Sequence, residues 1–361
     1  METKGLTEKT YDDAKTVVLD RFGTNALSVL DAVMNNPMRK ICEDAGDIVY
    51  DNGEPVCFQA CMLRRLCLGV KELFGKVAGL TCLKNGAPPE AYIDVRIAAN
   101  KPRAGYLIGF GNSQNAESAY AAHRLAKKKN PTTFEGPRAS TRFLWRAIRP
   151  IDCLLYFIRR KVLKGGLPNW NEFSTLASAG YEVKRGDLTV RRLMTVKQQF
   201  FDVLMAEYLK ANEGLVCSRT AEEVEWLFGE RIKKGLCVAL GVYKDEEPVG
   251  YIIARSNSFA RRWQILDWFA LGNKSEFLEA SLAELCVFLK RKTPAMMLES
   301  VGFPMWVQPL LMRYLPHKRE LGHNTFSWGS SNKDFRESVL QVIDSPKSWF
   351  FGPYDGDECM G

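Results

Sequence analysis

Histidine is scarce in this chain: His123, His317 and His323 are the only three in 361 residues. They have no metal-like spacing to one another, and no two cysteines form a Cys-x-x-Cys pair. Structural zinc sites are built from closely spaced ligands of these types. The sequence therefore argues against a metal centre, and it contains no local pattern typical of a Ser-His-Asp or Cys-His catalytic set.

The sequence also lacks a long apolar run. The richest stretch, Ile151 to Val162, is interrupted by Asp152, Arg159 and Arg160, whereas a membrane-spanning helix needs ~20 mostly apolar residues. The first residues are polar, without the apolar core of a secretory signal. The ten cysteines are scattered, unlike those of a small disulfide-stapled domain. We therefore expect a cytoplasmic protein without a membrane span, in which most cysteines are buried thiols.

The length and composition of the chain suit two globular domains. Of the 361 residues, 46% are hydrophobic and 25% are charged, which is ordinary for folded domains, and the length favours two cores. The run Lys164-Gly165-Gly166-Leu167-Pro168 is typical of a linker. We predict an N-terminal domain over residues 1–163, a linker over 164–180 and a C-terminal domain over 181–361.

The first half begins with a polar stretch and a short helix from Asn25 to Val33. An Asp-Asn-Gly-Glu turn between two apolar runs indicates a β-hairpin within residues 47–68. The remaining predicted elements are a strand from Lys76 to Leu83, a helix from Glu90 to Ala99, a strand from Tyr106 to Phe110, a helix from Ala116 to Lys127, a loop from Phe134 to Ser140, and a strand and amphipathic helix within Thr141 to Val162.

The second half has a similar order. A second hairpin is predicted from Cys237 to Arg255 around a polar turn. The other predicted elements are a strand from Glu182 to Met194, helices Gln198 to Ala211 and Ala221 to Lys233, a strand from Trp263 to Leu271, a helix from Ser275 to Arg291, a strand from Ala295 to Glu299, a helix from Pro304 to Tyr314, and a strand from Asn324 to Trp328.

This order of elements resembles the GNAT acyl-CoA-dependent N-acyltransferases in both halves. The hairpin VALGVYKDEEPVGYIIARS resembles the family's apolar strand, polar turn and Gly-Tyr. The segment GFGNSQNAESAYAAHRLAKK is similar to the family's fifth strand and the helix after it. The closing SWFFGPYDGDECMG resembles the end of tandem GNAT-like proteins. The resemblance implies an α+β protein with two GNAT-like domains in tandem, each a mixed, mostly antiparallel sheet flanked by helices.

The resemblance also implies acetyl-CoA or another acyl-CoA as co-substrate, with no metal. The family binds the pyrophosphate with backbone N–H groups of a glycine-rich loop at a helix N-terminus. The corresponding loops here contain Gly86 and Ala87 in the first half, and Gly272, Asn273 and Lys274 in the second. Both loops depart from the family's motif, the first through two prolines that carry no N–H. Asn112, which leads into the helix carrying Tyr120, could contact the cofactor arm.

Three residues are candidates for catalysis. Asp267 stands in the apolar strand Trp263 to Leu271, where a buried carboxylate must be hydrogen-bonded or have a raised pKa; it is either a general base or an acid paired with an arginine such as Arg255. Glu299, at the end of the next strand, could face the same cleft. Tyr120 matches the family's proton donor for the leaving thiolate, and its alternative is a packed helix tyrosine.

Three functions fit this pattern. The first is acyl transfer from acyl-CoA to the amine of a small metabolite or amino sugar, by direct attack on the thioester. The second is a Fem-type transferase that uses aminoacyl-tRNA. Of the three functions, it alone involves a nucleic-acid partner. The third is a non-catalytic GNAT-like binding protein that has lost its cofactor.

The net charge of +8 is moderate, and its basic clusters favour solvated helix ends over a polyanionic partner. The segment Arg142 to Lys164 mixes apolar and basic residues. We expect a strand and helix that turn their apolar face inward, and a membrane-surface helix is the alternative.

Overall fold

The fold comes from a computed structural model, which describes residues 1–41, 45–99, 107–109, 133–135, 142–159, 162, 176–212, 214–257, 261–300, 302–320, 327–329, 337, 349–350 and 354. The α-helices within these ranges are α1 Tyr11–Phe22, α2 Leu27–Met34, α3 Glu90–Ala99, α4 Pro150–Ile158, α5 Gln198–Ala211, α6 Ala221–Val224, α7 Glu230–Lys233, α8 Ser275–Lys292 and α9 Gln308–Tyr314. A π-helical turn, Glu225–Gly229, joins α6 to α7.

The strands of the described ranges form two sheets. They are β1 Glu2–Gly5, β2 Gly46–Asp51, β3 Glu54–Leu68, β4 Lys71–Leu83, β5 Leu107–Gly109, β6 Thr133–Glu135, β7 Arg142–Ala147, β8 Glu182–Arg185, β9 Leu188–Leu193, β10 Leu215–Cys217, β11 Cys237–Lys244, β12 Glu247–Asn257, β13 Arg262–Ala270, β14 Met297–Ser300, β15 His317–Glu320, β16 Ser327–Gly329 and β17 Trp349–Phe350.

Both sheets are mixed and mostly antiparallel. The first has the order β1-β2-β3-β4-β5-β16-β6, with β10 between β3 and β17; β4 and β5 are parallel, and so are β10 and β17. The second has the order β15-β7-β14-β13-β12-β11-β9-β8, with β13 and β14 parallel. Helices pack on each sheet, so the predicted α+β fold is confirmed.

The chain forms two compact units, and each unit is built from segments that are not contiguous in the sequence. One contains residues 1–139, 214–218 and 322–361, and the other contains residues 140–213 and 219–321. Strand β7 therefore belongs to the second sheet, between β14 and β15. Strand β10, although it lies in the second half of the sequence, pairs with β3 of the first sheet. The predicted division at the glycine-rich linker follows sequence order and does not coincide with these units.

The hairpins come from local turn chemistry. Asn52 and Gly53 both have positive φ at the tip of β2 and β3, and Asp245 and Glu246 do at the tip of β11 and β12. Polar residues and glycine tolerate this left-handed backbone and so set where the strands reverse. Gly186 has φ +65° and breaks the predicted strand Glu182 to Met194 into β8 and β9, so a single strand there was wrong.

Each sheet buries its apolar side chains beneath its helices. In the second unit the core includes Trp263, Trp268 and Phe269, all at most 1% exposed. The Trp268 Nε1–H donates to the Leu278 carbonyl and to the Ser281 hydroxyl of α8, both at 2.9 Å. This bond satisfies the one polar group of a buried indole, and it fixes α8 on one face of the sheet.

The outer surface of α4 differs from our expectation. Cys153 and Tyr156 face inward against Met296 and Met297. The opposite side of the helix carries the exposed apolar residues Ile151, Leu154, Leu155, Phe157 and Ile158. The expectation that this segment turns its apolar face inward was therefore right for only part of the helix.

Two other predictions were wrong in detail. The loop expected from Phe134 to Ser140 begins inside strand β6. The strand expected from Asn324 to Trp328 is β16, which pairs with β5 and β6 of the first sheet and does not complete the second. In both cases pairing with a distant strand, which local pattern cannot reveal, decides the structure.

Candidate active site

The second unit opens between its two parallel central strands. β13 and β14 pair only from Arg262 to Gln264, opposite Met297 to Glu299. β13 continues to Ala270, and on that stretch the described residues pair it with β12 alone. A bulge marks the change, because Ile253 lies opposite Asp267 and Ala254 lies opposite Ile265. Since a bulge bends its strand and can end pairing, the described part of β13 diverges from β14 after Gln264.

The first unit has a similar bulge at the end of a parallel strand pairing. β4 pairs with β5 from Lys76 to Ala78, although β4 itself runs on to Leu83. The register between β3 and β4 shifts between Gln59 and Cys61, again where the parallel pairing ends. Within the described residues, the two units thus share a strand that is bulged where its parallel pairing ends.

Asp267 lies at the bulge of the second unit and is fully buried. Its carboxylate accepts from the Arg219 guanidinium, with Nε 3.2 Å from both oxygens and Nη2 3.2 Å from Oδ1. The Tyr251 hydroxyl donates to Oδ2, and the Trp268 N–H donates to Oδ1 at 3.1 Å. Burial of a charge requires such partners.

The partner of Asp267 was not foreseen in the sequence. Arg219, itself 1% exposed, follows β10 and precedes α6, and its guanidinium also lies 4.9 Å from the Phe269 ring centroid. Arg255, the partner suggested from sequence, lies opposite Gln264. An arginine directly after a short apolar run was the one local signal, and it becomes informative only once that run is known to be a buried strand.

Glu299 is the last residue of β14 that pairs with β13, and it is 5% exposed. The Arg262 Nε donates to Glu299 Oε2 at 2.9 Å. Burial raises the pKa of Glu299 above its ordinary value, and Arg262 opposes part of that increase. Desolvation therefore outweighs the neighbouring cation at this carboxyl.

The register places both carboxylates on one face of the sheet. Tyr251, Ile253 and Arg255 alternate along β12 and so point to the same side. Asp267 lies opposite Ile253, and Gln264 lies opposite Arg255 and next to Glu299. Tyr251 contacts two phenylalanines of α5, so this face is the one covered by α5 and is opposite to that of α8.

The loop from β13 to α8 contains the three predicted cofactor residues of the second unit. Gly272 has φ +60° and Asn273 has φ +53°, so the chain turns sharply before α8. The Tyr208 hydroxyl lies 3.3 Å from Asn273 Oδ1, which anchors the loop to α5. Lys274 is the N-cap residue of the 18-residue helix α8 and gives it no side-chain cap. The helix dipole favours an anion at this end, and Glu276 places one carboxylate in the first turn.

In the corresponding loop of the first unit, two backbone N–H groups already have partners within the protein. The Asn85 N–H donates to the carboxylate of Asp20 at 2.7 Å, and the Ala87 N–H donates to the Lys84 carbonyl. Pro88 and Pro89 have no N–H to offer. Gly86, with φ +79°, makes the turn. A carboxylate at this position disfavours a second anion, so this loop fits a phosphate poorly.

Two predicted residues, Tyr120 and Asn112, lie outside the described residues. Within the described ranges, no three His, Cys, Asp or Glu side chains lie close enough together to hold a metal ion. None of the eight described cysteines forms a disulfide, and seven of them are buried. No helix in the described part of the chain is both long and apolar enough to cross a bilayer.

Comparison with solved structures identifies the fold. The chain is similar to a GCN5-related N-acetyltransferase from Kribbella flavida, with 11% identity and a TM-score of 0.53 over 91% of this chain and 71% of that one. It is similar to a GCN5-related N-acetyltransferase from Anabaena variabilis at 11% identity and a TM-score of 0.52, over 92% of this chain and 73% of that one.

A third similar structure is Saccharomyces cerevisiae N-myristoyltransferase, solved with bound myristoyl-CoA and inhibitors. It is 14% identical, with a TM-score of 0.53 over 91% of this chain and 80% of that one. No protein-family model matches the chain, and no curated protein matches it. At these identities the likeness defines the fold, which is that of the GNAT-like acyltransferases.

Proposed function

We propose that the second unit transfers an acyl group from acyl-CoA to the amine of a small metabolite or an amino sugar. The observation that carries this proposal is the opening of β13 away from β14, one short loop before the N-terminus of α8. A strand edge that diverges from its neighbouring strand can accommodate an extended ligand alongside it. The amide-containing arm of acyl-CoA is such a ligand, and its thioester would lie along the edge.

The loop and helix fit the other end of the same co-substrate. The uncapped N-terminus of α8 and the ammonium of Lys274 suit a pyrophosphate. Asn273 and Gly272 shape the turn through their positive φ angles. The first unit has a similar bulge, but its loop contains two prolines, and the N–H groups of Asn85 and Ala87 already have partners. We therefore assign acyl-CoA binding to the second unit.

The reaction needs an aligned amine and two proton transfers. The amine nitrogen attacks the thioester carbonyl carbon, and the carbon–sulfur bond then breaks without a covalent enzyme intermediate. Glu299 is the proposed base for the amine proton, because the raised pKa of its carboxyl brings it towards the range in which a general base is effective. Tyr120, which the sequence suggests as the donor to the thiolate, belongs to the first unit, so its role stays a prediction, as does the catalytic role of Asp267.

Thermal unfolding with candidate ligands tests the proposal. A ligand present at about 100 times its dissociation constant stabilises the folded state by ~2.7 kcal/mol. We expect acetyl-CoA or a longer acyl-CoA to raise the unfolding temperature. A rise with aminoacyl-tRNA alone would support a Fem-type transferase, and no rise with any of these ligands would support a GNAT-like protein without a cofactor.

A matched pair of charge reversals locates the site. Lys274→Glu should abolish the stabilisation by acyl-CoA, because it places a carboxylate where the pyrophosphate would bind. Lys84→Glu makes the same change in the loop of the first unit and should leave that stabilisation intact. The reverse pattern would place the co-substrate in the first unit.

A further inference from the structure

An exposed apolar stripe runs along α4 and beyond it. The exposed fractions are 75% for Ile151, 60% for Leu154, 49% for Leu155, 46% for Ile158 and 71% for Val162. The spacing of three, four and seven residues from Ile151 places the first four on one side of α4, and Val162 follows eleven residues after Ile151 in the sequence. The inward side is separately filled by Cys153 and Tyr156, so the stripe is additional apolar surface.

Such a surface is unusual for a protein surrounded by water alone. Single exposed aliphatic residues are common, but a contiguous patch of large ones marks an interaction site. These five side chains are aliphatic, and the neighbouring Phe157 is 39% exposed; none of them offers a hydrogen bond to an ordered partner. The natural environment of the stripe is therefore a bulk apolar phase or another apolar face.

Positive charge surrounds the stripe. The Arg149 Nη2 donates at 3.0 Å to the carbonyls of Lys290 and of Thr293, which holds the start of α4 beside the end of α8. The last turn of α8 contributes three exposed cations, Lys290, Arg291 and Lys292. At the other end of α4 lies the exposed Arg159, and the sequence adds Arg160 and Lys161 before Val162.

We propose that this stripe, Ile151 to Val162, is a docking surface for an anionic lipid membrane. Helices that lie in the plane of a bilayer interface combine an aliphatic face with flanking lysine and arginine, and anionic headgroups attract cations close to the surface. A second copy of the chain docked face to face would bring cations against cations, which charge disfavours. Asp152 is the only acidic side chain of α4.

Vesicle flotation of the full chain tests this surface. We expect binding to vesicles of phosphatidylcholine mixed with phosphatidylglycerol, weak binding to phosphatidylcholine alone, and release by high salt. The double variant Ile151→Ser with Leu154→Ser should lower the partition coefficient roughly tenfold or more. Val70→Ser, which removes an apolar side chain that is 82% exposed elsewhere, should leave it unchanged.

A charge variant keeps the proposal testable if the double variant folds poorly. Lys290→Glu with Lys292→Glu should weaken binding to the anionic vesicles and leave the slight binding to phosphatidylcholine as it was. Absence of binding to anionic vesicles, or equal binding by every variant, would overturn the proposal. Analytical ultracentrifugation without lipid provides another check. A dimer that forms there and that the double variant abolishes would also overturn the proposal, because a second copy of the chain would then cover the stripe.

Discussion

At the scale of single residues, the Arg219–Asp267 pair combines two charges that are nearly inaccessible to water. Removing one partner leaves the other charge buried without compensation, which typically costs about 3–5 kcal/mol. We expect Asp267→Asn to lower the free energy of unfolding by that amount in urea denaturation. Asp187→Asn, which breaks an exposed ion pair with Lys244, serves as the control and should change stability little.

The same variant separates structure from catalysis at Asp267. If folded Asp267→Asn retains the turnover number of the unsubstituted protein in the proposed acyl transfer, the carboxylate holds Arg219 and Tyr251 in place and is not the base. A loss of stability no larger than that of the Asp187 control would contradict the buried ion pair itself.

Glu299 should make stability depend on pH. Its folded-state pKa is raised by burial above the ordinary value of 4.5, so the folded protein holds this proton more tightly than the unfolded chain. The contribution is therefore fully present below about pH 4.5 and is lost as pH rises through the folded-state pKa. Glu299→Gln should remove this part of the pH dependence, measured as the urea midpoint from pH 4 to pH 8. An unchanged pH profile would contradict the assignment.

At the scale of elements, the start of β2 depends on one glycine. Gly46 has φ +144°, and a Cβ there would stand 2.3 Å from the backbone oxygen of Gln59 on β3. Because backbone cannot yield as a flexible side chain does, we expect Gly46→Ala to lower the free energy of unfolding by about 2–4 kcal/mol. Gly180→Ala, which meets nothing within 4 Å, is the matched control. Equal urea midpoints for the two variants would refute the clash.

The elements themselves were largely readable from the sequence. The helices Glu90–Ala99 and Gln198–Ala211 have the predicted bounds, because an apolar period of 3.6 residues and the flanking turns are local signals. The two long hairpins followed from their polar turns in the same way. The helix Tyr11–Phe22 was missed because its residues are mostly polar and give a weak period.

Pairing between strands that are distant in the sequence could not be predicted from local patterns. The strand Leu215–Cys217 is too short to be recognised, and its partner on β3 lies almost 150 residues earlier. The same limit applies to the site. Asp267 and Glu299 were identified because acids are rare in apolar strands, but the partner Arg219 could not be, since only the folded register brings 219 and 267 together.

At the scale of the whole molecule, some strands pair in a sheet whose other strands come from the opposite half of the sequence. We call β7 and β10 the crossing strands. Each sheet therefore needs residues from both halves of the chain. A fragment of residues 1–163 would keep Arg142–Ala147, whose partner strands Met297–Ser300 and His317–Glu320 it lacks. It would also lack Leu215–Cys217, which pairs with the end of β3. An apolar strand edge without its partner favours aggregation over folding.

We therefore expect neither residues 1–163 nor residues 181–361 to show a cooperative thermal transition when produced alone. Co-expression of the two fragments should recover one, because each then supplies the strands that the other sheet lacks. The measurement is circular dichroism during heating, with the uncut chain as reference. A fragment 1–163 that unfolds cooperatively by itself would show that the division by sequence order governs folding, and that the crossing strands add contacts to a core already formed.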